Sequence, residues 1–210
     1  LKKDTEENLK SSLKTGSNTD KSHYQLKHYR KLLHLLSGII AVLYYFFPHK
    51  DTIFIYVLSI LVCSILFFDI LRLSNTFINS LVFKYLRHFF IDREKDKINS
   101  AAYYFTGVLA CIYFFPVEVA VSSILFLSFG DTAASIVGTH LGKHKLVGKK
   151  SLEGSLACFV TCFLLAILFL PLKISLIGAF VGTIAELLPW NLDDNITIPV
   201  FSGLVMTLFY

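Results

Sequence analysis

The sequence predicts an all-α protein: a polytopic transmembrane helical bundle of about seven spans, with one further amphipathic helix at the membrane interface. Three observations point there. Of 210 residues 54% are hydrophobic and 20 are Phe, with a mean hydropathy of +0.61, more apolar surface than a soluble domain this size can hide. Runs of roughly 16–22 residues recur with almost no charge, the length needed to cross a hydrocarbon core. The charged residues gather between these runs.

Residues 1–28 stand apart. They are polar, rich in Lys, Ser and Asn, and without hydrophobic period, so they read as a disordered cytosolic tail. The tail lacks an apolar core of the kind a cleaved signal peptide needs. The remainder, 29–210, reads as one membrane-embedded domain. Apolar periodicity places spans at 32–47, 53–70, 100–115, 118–140, 155–170, 174–188 and 199–210. Between the second and third lies FINSLVFKYLRHFFIDREKDK, interrupted by Lys84, Arg87 and His88, which reads as an amphipathic interfacial helix.

Charge sets the orientation. The tail up to Lys31, the segment 84–97 and the loop 143–150 are basic, whereas the connections at 48–52, 116–118 and 171–173 carry little charge. With seven spans, the positive-inside rule puts every basic segment and the N-terminus in the cytosol. The net charge of +5 is thus topological, and no nucleic-acid partner is expected. Cys63, Cys111, Cys158 and Cys162 fall inside apolar runs without the companions of a metal site, so they read as buried thiols.

The polar residues within this apolar chain form four groups, all on the cytosolic side. The first is FGDTAASIVGTHLGKHKLVGKKSLEGS. Asp131, Ala134, Gly138 and Gly142 make one helical stripe, flanked by Thr132 and Ser135. The glycines alone read equally as small-residue helix packing. An ionisable residue inside a span is costly and signals function, which gives Asp131 its weight. Lys143, Lys145, Lys149 and Lys150 follow, then Ser151 as N-cap of the next helix, and a helix start beside lysines suits an anion. GTHLGK is not a Walker A loop, because its glycines are too close and it follows a helix.

The second group is HYRKLLHLLSG, where Lys27, Lys31, His34 and Gly38 share a face and Arg30 lies one turn before His34. Arg30 and Lys31 also suit plain interfacial anchors. The third, FFDILRL, holds Asp69 and Arg72 at a spacing that makes an ion pair. The fourth is AELLPWNLDDNITIP. Glu186 again sits in a span, Asp193, Asp194 and Asn195 are hard oxygen donors suited to Mg²⁺ or Ca²⁺, and Pro199 fits the first turn of the last helix.

In this order, RKLLH, FDILRL, GDTAAS with its two glycines, KKSLEGS, Glu186 and DDNITIP resemble the CTP-dependent diacylglycerol kinases of the endoplasmic reticulum, in a wider family with dolichol, polyprenol and phytol kinases. The resemblance spans roughly residues 28–210. It implies transfer of the γ-phosphate of CTP to the hydroxyl of diacylglycerol, giving phosphatidate, in the endoplasmic reticulum membrane, nuclear envelope included, with the active site cytosolic. On this basis Gly138, Gly142, Lys149, Lys150, Ser151, Glu153 and Gly154 are assigned to the nucleotide. Asp131 and Asp194 are assigned to a divalent metal, Mg²⁺ or Ca²⁺. Arg30 and Lys31 would hold phosphate oxygens near the emerging lipid hydroxyl. Asp131, Glu186 and His34 each suit the base that receives the hydroxyl proton. The alternatives are a dolichol, polyprenol or phytol kinase using CTP and, from another class, a nucleotide-independent transporter, which also sets ionisable residues among broken helices.

Overall fold

The computed structural model describes residues 34–36, 38–47, 50–85, 94–189 and 192–210. The polar tail, Arg30, Lys31, Arg87 and His88 lie outside the described residues. The described chain is almost wholly helical. Helix α1 covers 34–36 and 38–46. It is followed by α2 (Lys50–Ser74), α3 (Thr76–Tyr85), α4 (Ser100–Phe114) and α5 (Val117–Leu125). A π-helical segment, Phe126–Gly130, joins α5 to α6 (Asp131–His140). Next come two short strands, β1 (Lys145–Val147) and β2 (Lys150–Ser151), and then α7 (Leu152–Ala166), α8 (Leu172–Leu187) and α9 (Asp194–Phe209).

Local chemistry starts and stops these helices. Asn99 caps α4, its side chain accepting from the Ala101 amide at 2.9 Å. Ser151 caps α7 by accepting from Gly154 N at 3.2 Å, as its sequence position predicts. Asp193 caps α9, accepting from Asn195 N at 3.1 Å. Pro116 and Pro171 immediately precede α5 and α8. Phe115 is held extended before Pro116, the conformation proline imposes on its predecessor.

Two helical stretches, Thr52–Ser74 and Val117–His140, are long and apolar enough to cross a membrane, whereas Ser100–Phe114, Leu152–Ala166 and Asp194–Phe209 are apolar but shorter. A helix of 15 or 16 residues is about 22–24 Å long at 1.5 Å per residue, less than a full hydrocarbon thickness. The expected apolar segments thus form helices, but length by itself marks two of them as spans. The interfacial segment is helical at Thr76–Tyr85, where Val82 is buried and Phe77 and Tyr85 are exposed.

The α5–π–α6 rod is the centre of the bundle. Ile124, Phe126 and Leu127 are fully buried within it. Helix α6 packs on α7, α7 on α8, α8 on α9, and α9 returns to α4 and α5. Glycine makes the closest approaches. A Cβ on Gly182 would lie 3.1 Å from a Phe126 ring carbon, and one on Gly203 would collide with the Phe115 ring. Backbones come this near when small residues line the crossing. Outward, the surface is apolar: Tyr56, Ile60 and Phe67 on α2, and Leu156, Leu164 and Leu168 on or after α7, are exposed, as suits a surface bathed by lipid. Cys111, Cys158 and Cys162 are buried free thiols, while Cys63 faces outward from α2.

One expectation is corrected. The last helix begins at Asp194, so Pro199 lies inside it and not in its first turn. Proline donates no backbone hydrogen bond there, and the Asn195 carbonyl four residues earlier loses a helical partner. That carbonyl faces α4 at Gly107, where any Cβ would collide with it. The freed carbonyl at the start of α9 and the bare backbone of α4 fit together.

At the end of α2, Asp69 and Arg72 form the expected ion pair, Nε to Oδ1 at 2.7 Å. It is more than a surface bridge, for both side chains are about fully buried, at 1% and 0% exposure. Arg72 also donates to the carbonyls of Glu94 at 2.9 Å and Lys97 at 2.5 Å, and Asp69 accepts from the Asn99 amide at 2.7 Å. A buried pair holds only when its remaining donors and acceptors are satisfied, and here the 94–99 turn satisfies them.

Candidate functional site

The π segment delivers Asp131. Its amide donates to the carbonyl of Phe126, five residues back, so the rod gains an extra residue per turn just before the carboxylate. Such bulges re-aim the side chains that follow them. Buried on this rod, Thr132 turns inward and donates to the Ser128 carbonyl at 2.7 Å. Asp131, Ala134, Ser135, Gly138 and Thr139 form one wall of a cleft of about 540 Å³. The rest of the lining comes from the 145–151 hairpin, the start of α7, Glu186 and Asp194.

Lys150 stands at the centre. Its Nζ lies 3.4 Å from Glu186 Oε1 and 3.2 Å from Asp194 Oδ2, and it donates to the Glu186 backbone carbonyl. Burial opposes the charge on this ammonium, but the Glu186 and Asp194 carboxylates outweigh it and hold the Lys150 pKa above its ordinary value. Lys150 is therefore a cation at neutral pH. Glu186 is nearly buried, and among the described residues its Oε2 has no hydrogen-bond partner.

The basic loop that carries Lys150 is a two-stranded hairpin. Strands β1 and β2 pair antiparallel, Lys145 opposite Ser151 and Val147 opposite Lys150. The turn between them uses Gly148 at φ +56°, a backbone angle glycine adopts without penalty. The hairpin is clipped at its base: His144 Nδ1 lies 2.7 Å from Glu153 Oε1, and the His144 amide donates to the same carboxylate. Its own backbone amide and then the His144 ring hold the Glu153 carboxyl down to about 2.

Of the residues assigned from the sequence, Asp131, Glu186, Asp194, Gly138, Lys149, Lys150, Ser151 and Gly154 all line this one cleft. Others fall outside it. Glu153 belongs to the clip and not to the wall. Gly142 is likewise not a wall residue; a Cβ there would come 2.6 Å from Ser151 Oγ. A Cβ on Gly154 would come 2.8 Å from the Ala134 carbonyl. The glycine stripe therefore seats α6 on α7, and the cleft opens beside that crossing. His34 is not among the lining residues; it packs edge-on against Tyr104, ring centroids 5.1 Å apart, and Tyr104 Oη lies 3.3 Å from Ser128 Oγ.

Asp193 and Asn195 do not join Asp194 as donors on the wall. The Asp193 carboxylate is taken up by its cap and by Asn195 Nδ2 at 2.6 Å. The Asn195 side chain is buried and also reaches the Ser100 carbonyl at 3.4 Å. The sequence reading names Lys145 among the loop lysines and misses Thr139, Gly148 and Ser155 as wall residues. Thr139 was legible one turn beyond Ser135 and Ser155 one turn beyond Ser151; Gly148 depended on a hairpin too short to read from periodicity.

Asp131, Glu186 and Asp194 are hard oxygen donors around one cleft, but among the described residues no three Asp, Glu, His or Cys side chains come together closely enough to cage a metal ion. The Lys150 ammonium fills the gap between two of them. This donor set fits a cation that keeps waters and substrate oxygens in its shell, as Mg²⁺ does with nucleotides. It does not make a ready protein cage.

No protein-family model matches the chain, and no solved structure matches it significantly. Among curated proteins, the chain is 32% identical over 209 residues to CTP-dependent diacylglycerol kinase 1 of Schizosaccharomyces pombe, covering 89% of this chain and 96% of that one. It is 28% identical over 208 residues to the Saccharomyces cerevisiae protein of the same name, covering 84% and 71%. The similarity extends to the probable chloroplastic phytol kinase 1 of Oryza sativa subsp. japonica, 28% over 206 residues, covering 86% and 64%.

Proposed function

This chain belongs to the CTP-dependent diacylglycerol kinase family, and on that premise we propose that it transfers the γ-phosphate of CTP to the hydroxyl of diacylglycerol, giving phosphatidate. The observation that carries the reading is the cleft in which Lys150 meets Glu186 and Asp194, with Asp131 in the same lining. Phosphoryl transfer needs positioning and neutralisation of charge more than covalent help, and this cleft offers lysines, a capped helix start and carboxylates.

In the step, the lipid hydroxyl oxygen bonds to the γ-phosphorus, the bond from that phosphorus to the β–γ bridging oxygen breaks, and CDP leaves. The hydroxyl proton passes to a carboxylate. Glu186 Oε2, buried and, among the described residues, without a hydrogen-bond partner, is the acceptor this arrangement favours over His34. Lys149, Lys150 and the amides at the Ser151 cap hold phosphate oxygens, with Gly138 and Gly154 keeping the wall bare. Asp131 and Asp194 would hold the divalent ion carried by the nucleotide. When bound, that ion neutralises the charge that builds on the phosphate oxygens. Arg30 and Lys31 would contact phosphate at the membrane boundary.

The same reading puts seven helices across the endoplasmic reticulum membrane, with the cleft open to the cytosol and the shorter helices accommodated by local thinning of the bilayer. A phytol or polyprenol acceptor is the second reading, favoured by the similarity to the rice protein. The test is purified full-length chain in detergent with labelled CTP or ATP and dioleoylglycerol, phytol or a polyprenol. Labelled phosphatidate from CTP alone is expected; transfer only to the isoprenoid alcohols, or from ATP alone, would reject the assignment.

A further inference from the structure

We propose that Asp69 and Arg72 are positioning residues for the nucleotide site, acting through the first turn of α9; the proposal rests on the kinase reading of the cleft. Neither residue lines the cleft, yet a path of buried and part-buried polar contacts runs from them to Asp193 and Asn195, the neighbours of Asp194. Arg72 grips the 94–99 turn by the Glu94 and Lys97 carbonyls, while Asp69 takes the Asn99 amide. Asn99 is the N-cap of α4, so the pair sets where α4 begins. The next residue, Ser100, is bound to Glu94 Oε1 at 2.5 Å and offers its carbonyl to Asn195 Nδ2.

Asn195 then acts on both sides of Asp194. Its side chain holds the carboxylate of Asp193, the N-cap, and its carbonyl lies against Gly107 of α4. Asp194 is thus carried on a helix start clamped to α4 at two places, and its carboxylate reaches Lys150. An ion pair needed only to secure α2 would not require the turn that starts α4, nor a fully buried guanidinium divided among the Asp69 carboxylate and the Glu94 and Lys97 carbonyls. Arginine's planar fork suits this divided grip; a lysine keeps the charge and loses the fork.

The test uses full-length protein in detergent carrying Arg72→Lys, Asn195→Ala or both. Amide exchange over 194–198 is measured by mass spectrometry, with melting temperature and the KM values for CTP and dioleoylglycerol. In each single variant, exchange over 194–198 should quicken and the KM for CTP rise about 10-fold, the usual size of a lost supporting contact around a polar site. The KM for dioleoylglycerol should stay unchanged. The double variant should be no worse than the worse single, since both changes cut one path. Unchanged exchange in Arg72→Lys would overturn the proposal whatever the substrate. Additive effects, or equal loss for both substrates in step with the melting temperature, would overturn it too and leave Asp69 and Arg72 as structural only. Wild-type protein inert toward CTP would instead reject the kinase reading, while the exchange data still decide the link from Arg72 to α9.

Discussion

Lys150 Nζ lies 3.2 Å from Asp194 Oδ2 and 3.4 Å from Glu186 Oε1, joining residues 44 and 36 positions further along the chain. One ammonium thereby ties the hairpin to the end of α8 and the start of α9. It balances two carboxylates that would otherwise repel each other across the cleft. A nucleotide phosphate entering there competes for the same cation.

Removing this cation should disable the site without unfolding the bundle. Lys150→Ala is expected to lower kcat/KM for CTP by about 10²–10³, the usual loss when one preorganised charge is removed. Asp131→Ala should abolish lipid phosphorylation. Both proteins should accumulate in the membrane as wild type does, checked by fractionation and immunoblot. Full activity in both variants would reject the assignment.

Asp194 is tested through the metal. Asp194→Asn keeps the shape of the side chain and makes one hard anionic ligand neutral. The Mg²⁺ concentration for half-maximal rate should rise about 10-fold, read from initial rates at fixed CTP. An unchanged titration, together with activity persisting in chelator, would contradict a metal role.

The α6–α7 crossing makes a steric prediction. Gly154→Ala would set a methyl 2.8 Å from the Ala134 carbonyl, an overpacking cost of about 1–3 kcal/mol, and would part the helices beside the cleft. The melting temperature should fall and the KM for CTP rise. Gly148→Ala meets no atom within 4 Å, but at φ +56° it should cost about 1–2 kcal/mol through backbone strain. Only the first change is expected to move helix packing, as read by exchange in α6. Equal exchange in the two variants would count against the close approach.

Asn195-Ile196-Thr197 has the form of a glycosylation sequon. The proposed topology puts it in the cytosol, and Asn195 is buried, at 5% exposure. No glycan is expected there when the chain is made in a eukaryotic secretory membrane. Because burial alone would also block modification, an acceptor on a flexible spacer after Asp193 and another after Tyr210 separate the causes. Modification only of the C-terminal acceptor is expected. A glycan on the spacer after Asp193 alone would place Asp194 and Glu186 in the lumen and undo the proposed sidedness.

The sequence by itself determined what local chemistry can determine. A hydrophobic period over a dozen residues makes a helix wherever it lies, so the apolar segments were legible. So were Ser151 as a cap and the Asp69–Arg72 pair, because each depends on neighbours three or four positions away. The cost of burying charge singled out Asp131 and Glu186 before any partner was visible. The tertiary structure decided which polar residues meet. Asp193, Asp194 and Asn195 are adjacent and chemically alike as oxygen donors, yet only Asp194 reaches the cleft; capping takes Asp193, and the Ser100 carbonyl draws Asn195 toward α4. Lys150 differs from Lys149 in sequence by nothing, and only the two-stranded pairing turns it between Glu186 and Asp194. The glycine stripe was ambiguous because one pattern serves close helix contact and a bare ligand wall alike, and the placement of α7 assigned both uses. Contacts over 36 or 44 residues are set by the packing of whole helices, which no short window of sequence contains.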